Sequence, residues 1–406
     1  MSCWRDWLNP KPLIIERITL RFGHKTLEVA RLSSGAQKMN RSIAIFLPSL
    51  RGGGAERAMV ILANALVDRG FKIDLLLASA TGAYLEELSK QMNVIDFNTS
   101  RILPSFVPLA TYLRHHRPEV LLSSMRHANL IALSAKQVAR VQTRVVVSER
   151  NDPLGACGSQ KRLNSSLIRA VCRFLYRTAD RVHAVSSGVA DSLCQQLKLP
   201  LSRVDVVYNP IPLKEINRLA VASAQLPNVD LDDRPLISAA GRLSTQKDFA
   251  MLIRAFKRVR QECDSRLVIM GEGKNRPELE ALIAKYSLEN DVLLPGFISN
   301  PFAIMRQSDL FVLSSRWEGL PNVLIQAMAV GTPVVSTDCK SGPAEILENG
   351  KWGRLVPVGD TDALAKAMLD TLYDKKHPDV KRRAADFGVD QAVDGYLRLL
   401  FPEEAS

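Results

Sequence analysis

Residues 310–337 read LFVLSSRWEGLPNVLIQAMAVGTPVVST, and this stretch decides the fold class. Apolar residues dominate 310–314 and 333–337, in the short runs that are typical of buried parallel strands. Between these runs, Pro321 stands at the first position of a helix predicted over 321–330, where its missing N–H costs no hydrogen bond. A strand, a helix and a second strand in this order indicate a parallel sheet.

The same alternation extends in both directions from this unit. In the second half, strands are predicted at 236–240, 266–270, 292–294, 310–314, 333–337 and 354–357, and helices at 248–262, 277–287, 321–330 and 361–373. In the first half, strands are predicted at 43–47, 72–78, 94–97, 120–123, 144–148, 181–185 and 205–208. The sequence therefore predicts an α/β protein of two Rossmann-like, doubly wound parallel-sheet domains that face each other across a cleft.

Breaks in the alternation divide the chain into five segments. These are an N-terminal extension over 1–40, a first domain over 41–212, a linker over 213–235, a second domain over 236–388 and a C-terminal helix over 389–406. The last segment has an apolar stripe at helical spacing, so we expect it to pack on the first domain. Met39 lies three residues before the first strand, and the extension is either an accessory segment or a leader upstream of the functional start.

Positive charge is concentrated in the first half of the chain. Residues 1–213 hold 29 Lys and Arg against 15 Asp and Glu, and residues 214–406 hold 25 against 27, for a total net charge of +12. Anionic lipid or a phosphorylated substrate is the expected partner, and no nucleic acid is expected because no nucleic-acid-binding motif is present. The basic amphipathic stretch 162–177 is either a surface for lipid head groups or a solvated face.

Cysteine spacing argues against a metal or disulfide framework. The six cysteines include no C-x-x-C pair, and the D-x-D form at 230–232 lies in the predicted linker, so we expect no metal and no other cofactor. No apolar run reaches the roughly 18 residues that a membrane-spanning helix needs, and a secretory signal is not evident. The expected location is the cytoplasm, with the inner face of the cytoplasmic membrane as a candidate peripheral site.

Two loops at strand ends in the second domain carry candidate phosphate-binding residues. Gly241 and Arg242 follow one strand, and Lys247 comes just before the next helix. Free amides, the helix dipole and two cations favour a diphosphate there, against the alternative of solvated surface charges. Gly271 and Gly273 follow the next strand, where glycines either admit a ligand to the backbone or make a tight turn.

Glu318 lies just ahead of the helix predicted over 321–330, beside the unpaired amides of residues 319–322. Such a loop can bind a sugar hydroxyl through the carboxylate and phosphate oxygens through the N–H groups. Gln326 lies about two turns into the helix and can reach a ribose hydroxyl. Phe297, after another strand, can offer an apolar face to a nucleobase.

Together these motifs resemble those of the retaining GT-B glycosyltransferases called group 1, or family 4. The hallmark of that family is E-x7-E within E-G-x-P-N-x-x-x-E-A-M-A-x-G-x-P-V-V, which residues 318–335 follow closely. The glycine loop 52–57 and the segments 241–247, 271–273 and 296–297 match in order and spacing. The resemblance spans roughly residues 41–400 and is strongest to the branch that builds bacterial capsule, exopolysaccharide or lipid-linked oligosaccharide.

The resemblance implies roles for individual residues. Arg242 and Lys247 would hold the donor diphosphate and stabilise the leaving group, while Glu318 would bind the donor sugar. The implied donor contacts are Gly53, Gly54, Gly241, Gly271, Gly273, Phe297, Gly319, Leu320, Pro321, Asn322 and Gln326. In the first domain, His127 is the candidate for the histidine that often contacts the donor sugar, and the acceptor-side candidates are Arg126, Glu149 and Arg150.

Gln326 departs from the family, which has a ribose-binding glutamate at this position. An amide still hydrogen-bonds a diol but loses the charge-assisted bond, which weakens binding by about 1–2 kcal/mol. This departure leaves a non-catalytic sugar-nucleotide-binding protein as one alternative. An epimerase or a phosphorylase could share the fold, although the motif around Glu318 favours transfer. A dehydrogenase is disfavoured because the loop 52–57 is not G-x-G-x-x-G.

We therefore expect a glycosyltransferase that moves a hexose or N-acetylhexosamine with retention of anomeric configuration. The favoured donor is a UDP-sugar, and the expected acceptor is a lipid-linked or oligosaccharide molecule of surface polysaccharide biosynthesis. The family implies that the leaving phosphate itself helps to deprotonate the acceptor hydroxyl. Electrostatic stabilisation of the departing diphosphate would then carry most of the catalysis.

Overall fold

The computed structural model describes residues 15–22, 25–32, 41–151, 162–221 and 233–402, with backbone alone for 15–22, 25–32 and 162–168. The strands are β1 (Ile15–Phe22), β2 (Lys25–Leu32), β3 (Ser42–Leu47), β4 (Lys72–Leu77), β5 (Asn93–Asp96), β6 (Val120–Ser124), β7 (Arg144–Glu149), β8 (Arg181–Ala184), β9 (Val204–Val206), β10 (Leu236–Ala240), β11 (Arg266–Met270), β12 (Val292–Gly296), β13 (Leu310–Leu313), β14 (Val334–Thr337) and β15 (Arg354–Val356). The α-helices are α1 (Gly54–Asp68), α2 (Phe106–His116), α3 (Arg126–Ala139), α4 (Arg162–Tyr176), α5 (Ser187–Leu197), α6 (Leu213–Ala220), α7 (Phe249–Glu262), α8 (Arg276–Lys285), α9 (Pro301–Gln307), α10 (Asn322–Val330), α11 (Pro343–Ile346), α12 (Thr361–Tyr373), α13 (Val380–Ala384) and α14 (Val389–Leu400).

Two parallel sheets organise the chain and confirm the predicted fold class. The first domain has seven strands in the order β5-β4-β3-β6-β7-β8-β9, and the second has six in the order β12-β11-β10-β13-β14-β15. Strands such as β3 are buried along nearly their whole length because helices cover both faces of the sheet. This double covering explains why a central strand such as β3 reads as a nearly unbroken apolar run in the sequence.

Each sheet reverses its strand order once, and the loops 52–54 and 241–248 lie at these two reversals. The first domain reverses between β3 and β6, and the second between β10 and β13. Ligands of open α/β sheets bind beyond the carboxyl ends of the strands at such a point. The glycine loop 52–54 follows β3, and the loop 241–248 follows β10, so both stand beside a crevice.

The N-terminal extension, for which the sequence analysis assigned no elements, contains two strands. β1 and β2 form an antiparallel hairpin, paired from Ile15 with Leu32 to Phe22 with Lys25. The sequence carries the signal for it, because apolar residues alternate at every second position, as at Leu27 and Val29.

The segment predicted as a linker is helical in its first part. Residues 213–220 form α6, in which Ile216 and Ala220 are buried. This helix packs on α9 and α10 of the second domain, and Asn300 Nδ2 donates a hydrogen bond to Leu219 O at 2.9 Å. Apolar side chains at helical spacing explain the difference, since they gain burial against the second domain.

The last helix, α14, packs on the first domain. Its Val393, Tyr396 and Leu400 are fully buried in a cluster with side chains of β3 and α1. The chain therefore crosses between the domains twice, and the two crossings touch where Ile211 N donates to Phe387 O at 3.0 Å. The first-domain core is completed by residues from the far end of the sequence.

Replacing Leu400 with alanine tests this completion of the core. The leucine is fully buried, so the variant leaves a cavity and should lose about 2–5 kcal/mol of unfolding free energy. Urea denaturation followed by circular dichroism measures the loss. Arg398→Ala, an exposed position on the same helix, should change stability by no more than about 0.5 kcal/mol. Equal effects of the two variants would contradict the packing described for α14.

Candidate active site

The two domains meet at the turn formed by residues 319–322, between β13 and α10. Gly319 lies against the first-domain backbone so closely that a Cβ atom on it would be 2.0 Å from Arg150 O. Ser186 Oγ donates a hydrogen bond to Gly319 O at 2.7 Å, and Asn209 Nδ2 donates one to Asn322 Oδ1 at 2.7 Å. The first domain thus holds both ends of this turn, and only glycine fits at its start.

Glu318 lies one residue before the turn. Its carboxylate is buried, and its two oxygens differ in the hydrogen bonds that they accept. Its Oε1 accepts hydrogen bonds from Lys247 Nζ at 2.6 Å and from Ser315 Oγ at 2.7 Å. From the described residues, its Oε2 accepts only a long contact from Gln246 Nε2, at 3.5 Å. Because a carboxylate oxygen can accept more than one hydrogen bond, Oε2 retains capacity for another donor such as a hydroxyl.

The thiol of Cys339 is buried near the Glu318 carboxylate, and this environment changes its pKa. Desolvation, followed by the charge of Glu318, raises the pKa of Cys339 to about 12. The thiol is therefore neutral near pH 7, and Cys339 contributes no thiolate to the site.

The loop 241–248 brings two cations to the edge of the second sheet. Lys247 is paired with Glu318, whereas Arg242 is exposed and makes no ion pair with the described residues. Asp248 caps α7 by accepting a hydrogen bond from Met251 N, and its carboxylate also pairs with Arg316 at 2.7 Å. The loop thus presents Arg242 beside a helix N-terminus, which is a suitable arrangement for an anion.

Gly271 and Gly273 allow two neighbouring loops to pack backbone against backbone. A Cβ atom on Gly271 would lie 2.0 Å from Gly241 O, and one on Gly273 would lie 2.3 Å from Leu243 O. Leu243 N donates a hydrogen bond to Glu272 O at 2.9 Å, which fixes the pair of loops. This packing is sufficient to require both glycines, and it shapes the loop that carries Arg242.

The glycine loop of the first domain lies beside the 319–322 turn. A Cβ atom on Gly54 would be 3.9 Å from Asn322 Nδ2. The amides of Gly52 and Gly53 donate to Glu56 Oε2 at 2.8 and 2.9 Å, a capping arrangement at the start of α1. The carboxylate of Glu56 therefore already accepts a hydrogen bond from the amide of Gly53, one of the two first-domain glycines that the resemblance implied as donor contacts.

The remaining donor-side candidates differ in their exposure. Leu320 and Pro321 are buried within the turn. Gln326 is partly buried on α10, and its side-chain amide forms no hydrogen bond with the described residues. Phe297 is 79% exposed, so an apolar ring is available to a ligand at the carboxyl end of β12.

The candidate residues of the first domain differ in their burial. Glu149 is buried, where it accepts hydrogen bonds from Tyr176 Oη and, at 3.2 Å, from Asn129 Nδ2. Burial raises its pKa, and this carboxylate belongs to the interior of the first domain. Arg126 and His127 begin α3 at the cleft edge, where Arg126 is half-buried and His127 is exposed.

Arg150 is buried at the junction of the domains. Its guanidinium donates hydrogen bonds to Ser124 Oγ, to Asn209 Oδ1 and to Tyr396 Oη. Burial, and then the charge of Arg150, lower the pKa of nearby His183 to about 3. The arginine therefore contacts β6 through Ser124, the segment that leads to the second domain through Asn209, and α14 through Tyr396.

Four contributors to this junction were not singled out by the sequence analysis. Gln246 and Ser315 contact Glu318, while Ser186 and Asn209 hold the 319–322 turn from the first domain. The sequence marks Asn209 only as the start of a break before Pro210. Ser186 carries the weaker signal of a helix N-cap before α5.

Within the described residues, no group of three or more His, Cys, Asp and Glu side chains is placed to hold a metal ion. The D-x-D form at 230–232 lies outside the described part of the chain. No helix in the described part is long and apolar enough to cross a membrane.

Residues 52–215 match the domain family described as glycosyltransferase family 4, and residues 234–374 match the one described as glycosyl transferases group 1. The chain is 31% identical over 349 residues to the N-acetylgalactosamine-N,N'-diacetylbacillosaminyl-diphospho-undecaprenol 4-alpha-N-acetylgalactosaminyltransferase of Campylobacter jejuni, covering 83% of this chain and 91% of that protein. It is 26% identical over 298 residues to the amylovoran biosynthesis glycosyltransferase AmsD of Erwinia amylovora, covering 73% and 80%.

Solved structures show the same fold. Anabaena HepE in complex with UDP and glucose superimposes with a TM-score of 0.72 at 20% identity, covering 89% of this chain and 99% of that one. Sucrose-phosphate synthase from Thermosynechococcus elongatus gives a TM-score of 0.73 at 18% identity, covering 90% and 100%. The architecture is that of a GT-B enzyme.

The particular family follows from the sequence matches. The chain belongs to the group 1 glycosyltransferases of family 4, and it is a glycosyltransferase whose relatives act in lipid-linked oligosaccharide and polysaccharide biosynthesis.

Gly319→Ala tests the contact between the domains. The added Cβ would meet Arg150 O, a backbone atom that cannot rotate away, so the variant should lose about 1–3 kcal/mol of unfolding free energy. Small-angle X-ray scattering should also show a larger radius of gyration as the turn is pushed off the first domain. In Gly359→Ala, no atom lies within 4 Å of the new Cβ, so this control carries backbone strain alone. An unchanged radius of gyration in Gly319→Ala would contradict the contact.

The low pKa of His183 predicts a pH-dependent stability. Below its unfolded pKa of 6.5 the unfolded chain binds a proton that the folded protein does not bind until about pH 3. The contribution of His183 to the unfolding free energy should therefore fall by about 1.4 kcal/mol per pH unit as the pH drops from 6.5 towards 3. His183→Gln removes this contribution, so the stability gap between wild type and variant should narrow by about 2 kcal/mol from about pH 6.5 to about pH 5. A gap that is constant with pH would refute the assignment.

Proposed function

We propose that this enzyme transfers a hexose or N-acetylhexosamine, with retention of anomeric configuration, from a UDP-sugar to a lipid-linked or oligosaccharide acceptor. The observation that carries the proposal is the Lys247–Glu318 pair next to the 319–322 turn. There, one carboxylate oxygen is held by a cation while the other keeps capacity for a hydroxyl. A sugar hydroxyl and a diphosphate would each find a partner within the same few residues.

The leaving diphosphate is the group that most needs stabilisation. Arg242 is exposed without an ion partner among the described residues, and Lys247 stands beside Glu318. The unpaired amides at the start of α10 add partial positive charge. We assign stabilisation of the departing diphosphate to these groups and to no metal ion. Fixed charges of this kind are commonly the largest catalytic contribution.

In the proposed reaction, the bond between the anomeric carbon and the diphosphate oxygen breaks while the acceptor oxygen bonds to the same carbon. The acceptor hydroxyl gives its proton to an oxygen of the leaving diphosphate on the same face of the sugar. No oxidant or reductant is needed, and atoms and charges balance. Glu318 Oε2 would orient the sugar by accepting a hydrogen bond from one of its hydroxyls.

The relatives support the choice of substrates. The Campylobacter jejuni relative is named as an enzyme that acts on an undecaprenol diphosphate and transfers N-acetylgalactosamine. Anabaena HepE was solved with UDP and glucose. A polyprenyl-diphosphate acceptor would also suit the basic first half of this chain, since it carries negative charge.

The first domain offers exposed apolar and basic side chains that suit a peripheral membrane contact. Leu103, Val107 and Phe174 are 71%, 66% and 72% exposed. Arg101 and Arg169 are exposed in the same two regions of the chain. Apolar side chains that enter the head-group region, together with cations, are the usual basis of binding to anionic lipid. We propose that the first domain rests on the inner face of the cytoplasmic membrane.

A non-catalytic sugar-nucleotide-binding protein is the second candidate. It is favoured by one observation, the neutral Gln326 on α10, whose amide makes no hydrogen bond with the described residues. Such a protein would bind the nucleotide without turning over any donor.

A panel of nucleotide sugars tests the proposal. UDP-sugars should raise the melting temperature more than GDP- or ADP-sugars, since a ligand at a hundredfold excess over its Kd adds about 2.7 kcal/mol of stability. The best donor is then assayed with a polyprenyl-diphosphate-linked sugar. Glu318→Ala should lower turnover by at least about a hundredfold, whereas Glu289→Ala, at an exposed position, should leave it unchanged. Nucleotide binding without turnover would favour the binding protein, and preferential stabilisation by GDP-sugars would exclude the UDP donor.

A further inference from the structure

Arg150 places a positive charge in the protein interior without an acidic partner among the described residues. The residue is 6% exposed, and among the described residues its guanidinium bonds to the neutral side chains of Ser124, Asn209, Tyr396 and Met59. The neighbouring carboxylate in sequence, that of Glu149, bonds elsewhere. Burying a cation without a counter-charge is costly, so such a residue is retained at a cost to stability.

The charge is connected to the active-site turn by two routes. Through the backbone, Arg150 O supports Gly319 at the start of the turn. Through side chains, Arg150 Nη1 donates to Asn209 Oδ1, and Asn209 Nδ2 donates to Asn322 Oδ1 at 2.7 Å. Asn209 is itself 5% exposed, so water does not compete freely for these bonds. The orientation of Asn322, the first residue of α10, thus depends on Arg150.

We propose that Arg150 is a positioning residue for the donor diphosphate, which it serves by holding Asn209 against Asn322 and by adding a fixed positive charge that the bound diphosphate balances. The inference rests on the proposed function and adds a residue outside the second domain to it. It also assigns Asn209 a role in donor binding, although that residue belongs to the crossover between domains.

The side-chain chemistry of the relay supports this role over a purely structural one. An asparagine can accept from Arg150 with its oxygen and donate to Asn322 with its nitrogen at the same time. The relay therefore sets the direction of the Asn322 amide, leaving its Nδ2 on the side of Gly54. That side is where the glycine loop and the 319–322 turn come together, and it is where a diphosphate would lie.

Isothermal titration calorimetry of the full chain with UDP and with UMP distinguishes a role of Arg150 in diphosphate binding from a purely structural role. Arg150→Gln removes the charge and should weaken UDP binding at least about tenfold, while UMP binding, which lacks the second phosphate, should change by less than about threefold. Arg150→Lys keeps the charge but lacks the planar guanidinium, so its loss of UDP affinity should lie between those of the wild type and Arg150→Gln. Melting temperatures show whether each variant is folded.

A double-mutant cycle tests the relay itself. Asn209→Ala and Asn322→Ala should each weaken UDP binding, and the double variant should be no weaker than the worse single variant because both break one path. Asn217→Ala is the matched control, since that exposed asparagine donates a hydrogen bond within its own helix, to Leu213 O. It should leave UDP binding unchanged.

The outcomes that contradict the inference differ from those that contradict the proposed function. If the affinities for UDP and UMP fall by the same factor in Arg150→Gln, Arg150 is structural and the inference is wrong. The same holds if the fold-losses of UDP affinity in Asn209→Ala and Asn322→Ala multiply in the double variant. In both cases the proposed function stands. If the wild type binds none of UDP, GDP and ADP, then the proposed function and this inference both fail.

Discussion

The backbone contact between Gly319 and Arg150 is the constraint on which the rest of the site depends. With a Cβ atom at residue 319 only 2.0 Å from Arg150 O, the two domains could not approach as they do. Their approach brings Ser186 to the Gly319 carbonyl and Asn209 to Asn322. It also places the first-domain glycine loop beside the start of α10. The chemistry of Glu318 is thus built in the second domain and enclosed by the first.

The local pattern of the sequence was enough to predict the two sheets and the loops that follow their strands. Buried strands between helices read as apolar runs, and Pro321 and Gly241 mark turns by their backbone chemistry. The position of Glu318 at a helix N-terminus followed from the same reasoning. These features depend on neighbours in the chain, which is why one sequence reveals them.

Contacts between distant segments could not be read in this way. Glu149 looks like a cleft residue because it ends a strand, yet its carboxylate is bound by Tyr176 and Asn129 in the domain interior. Asn209 sits in a Pro-rich break, and nothing in its neighbourhood indicates that it joins Arg150 to Asn322. The hairpin of β1 and β2 is a different case, because its strands do show a two-residue alternation of apolar residues in the sequence. Long-range pairing is decided by packing, and no periodicity reports it.

The packing of α14 on the first domain has a consequence for how this enzyme can be recombined. Val393, Tyr396 and Leu400 fill the interior of a domain whose other residues lie within 41–212. A chimaera that exchanged only the C-terminal half with a relative would replace part of the first-domain interior as well. The first domain is therefore discontinuous in the sequence, and an exchange of the second domain must leave the final helix with its original host.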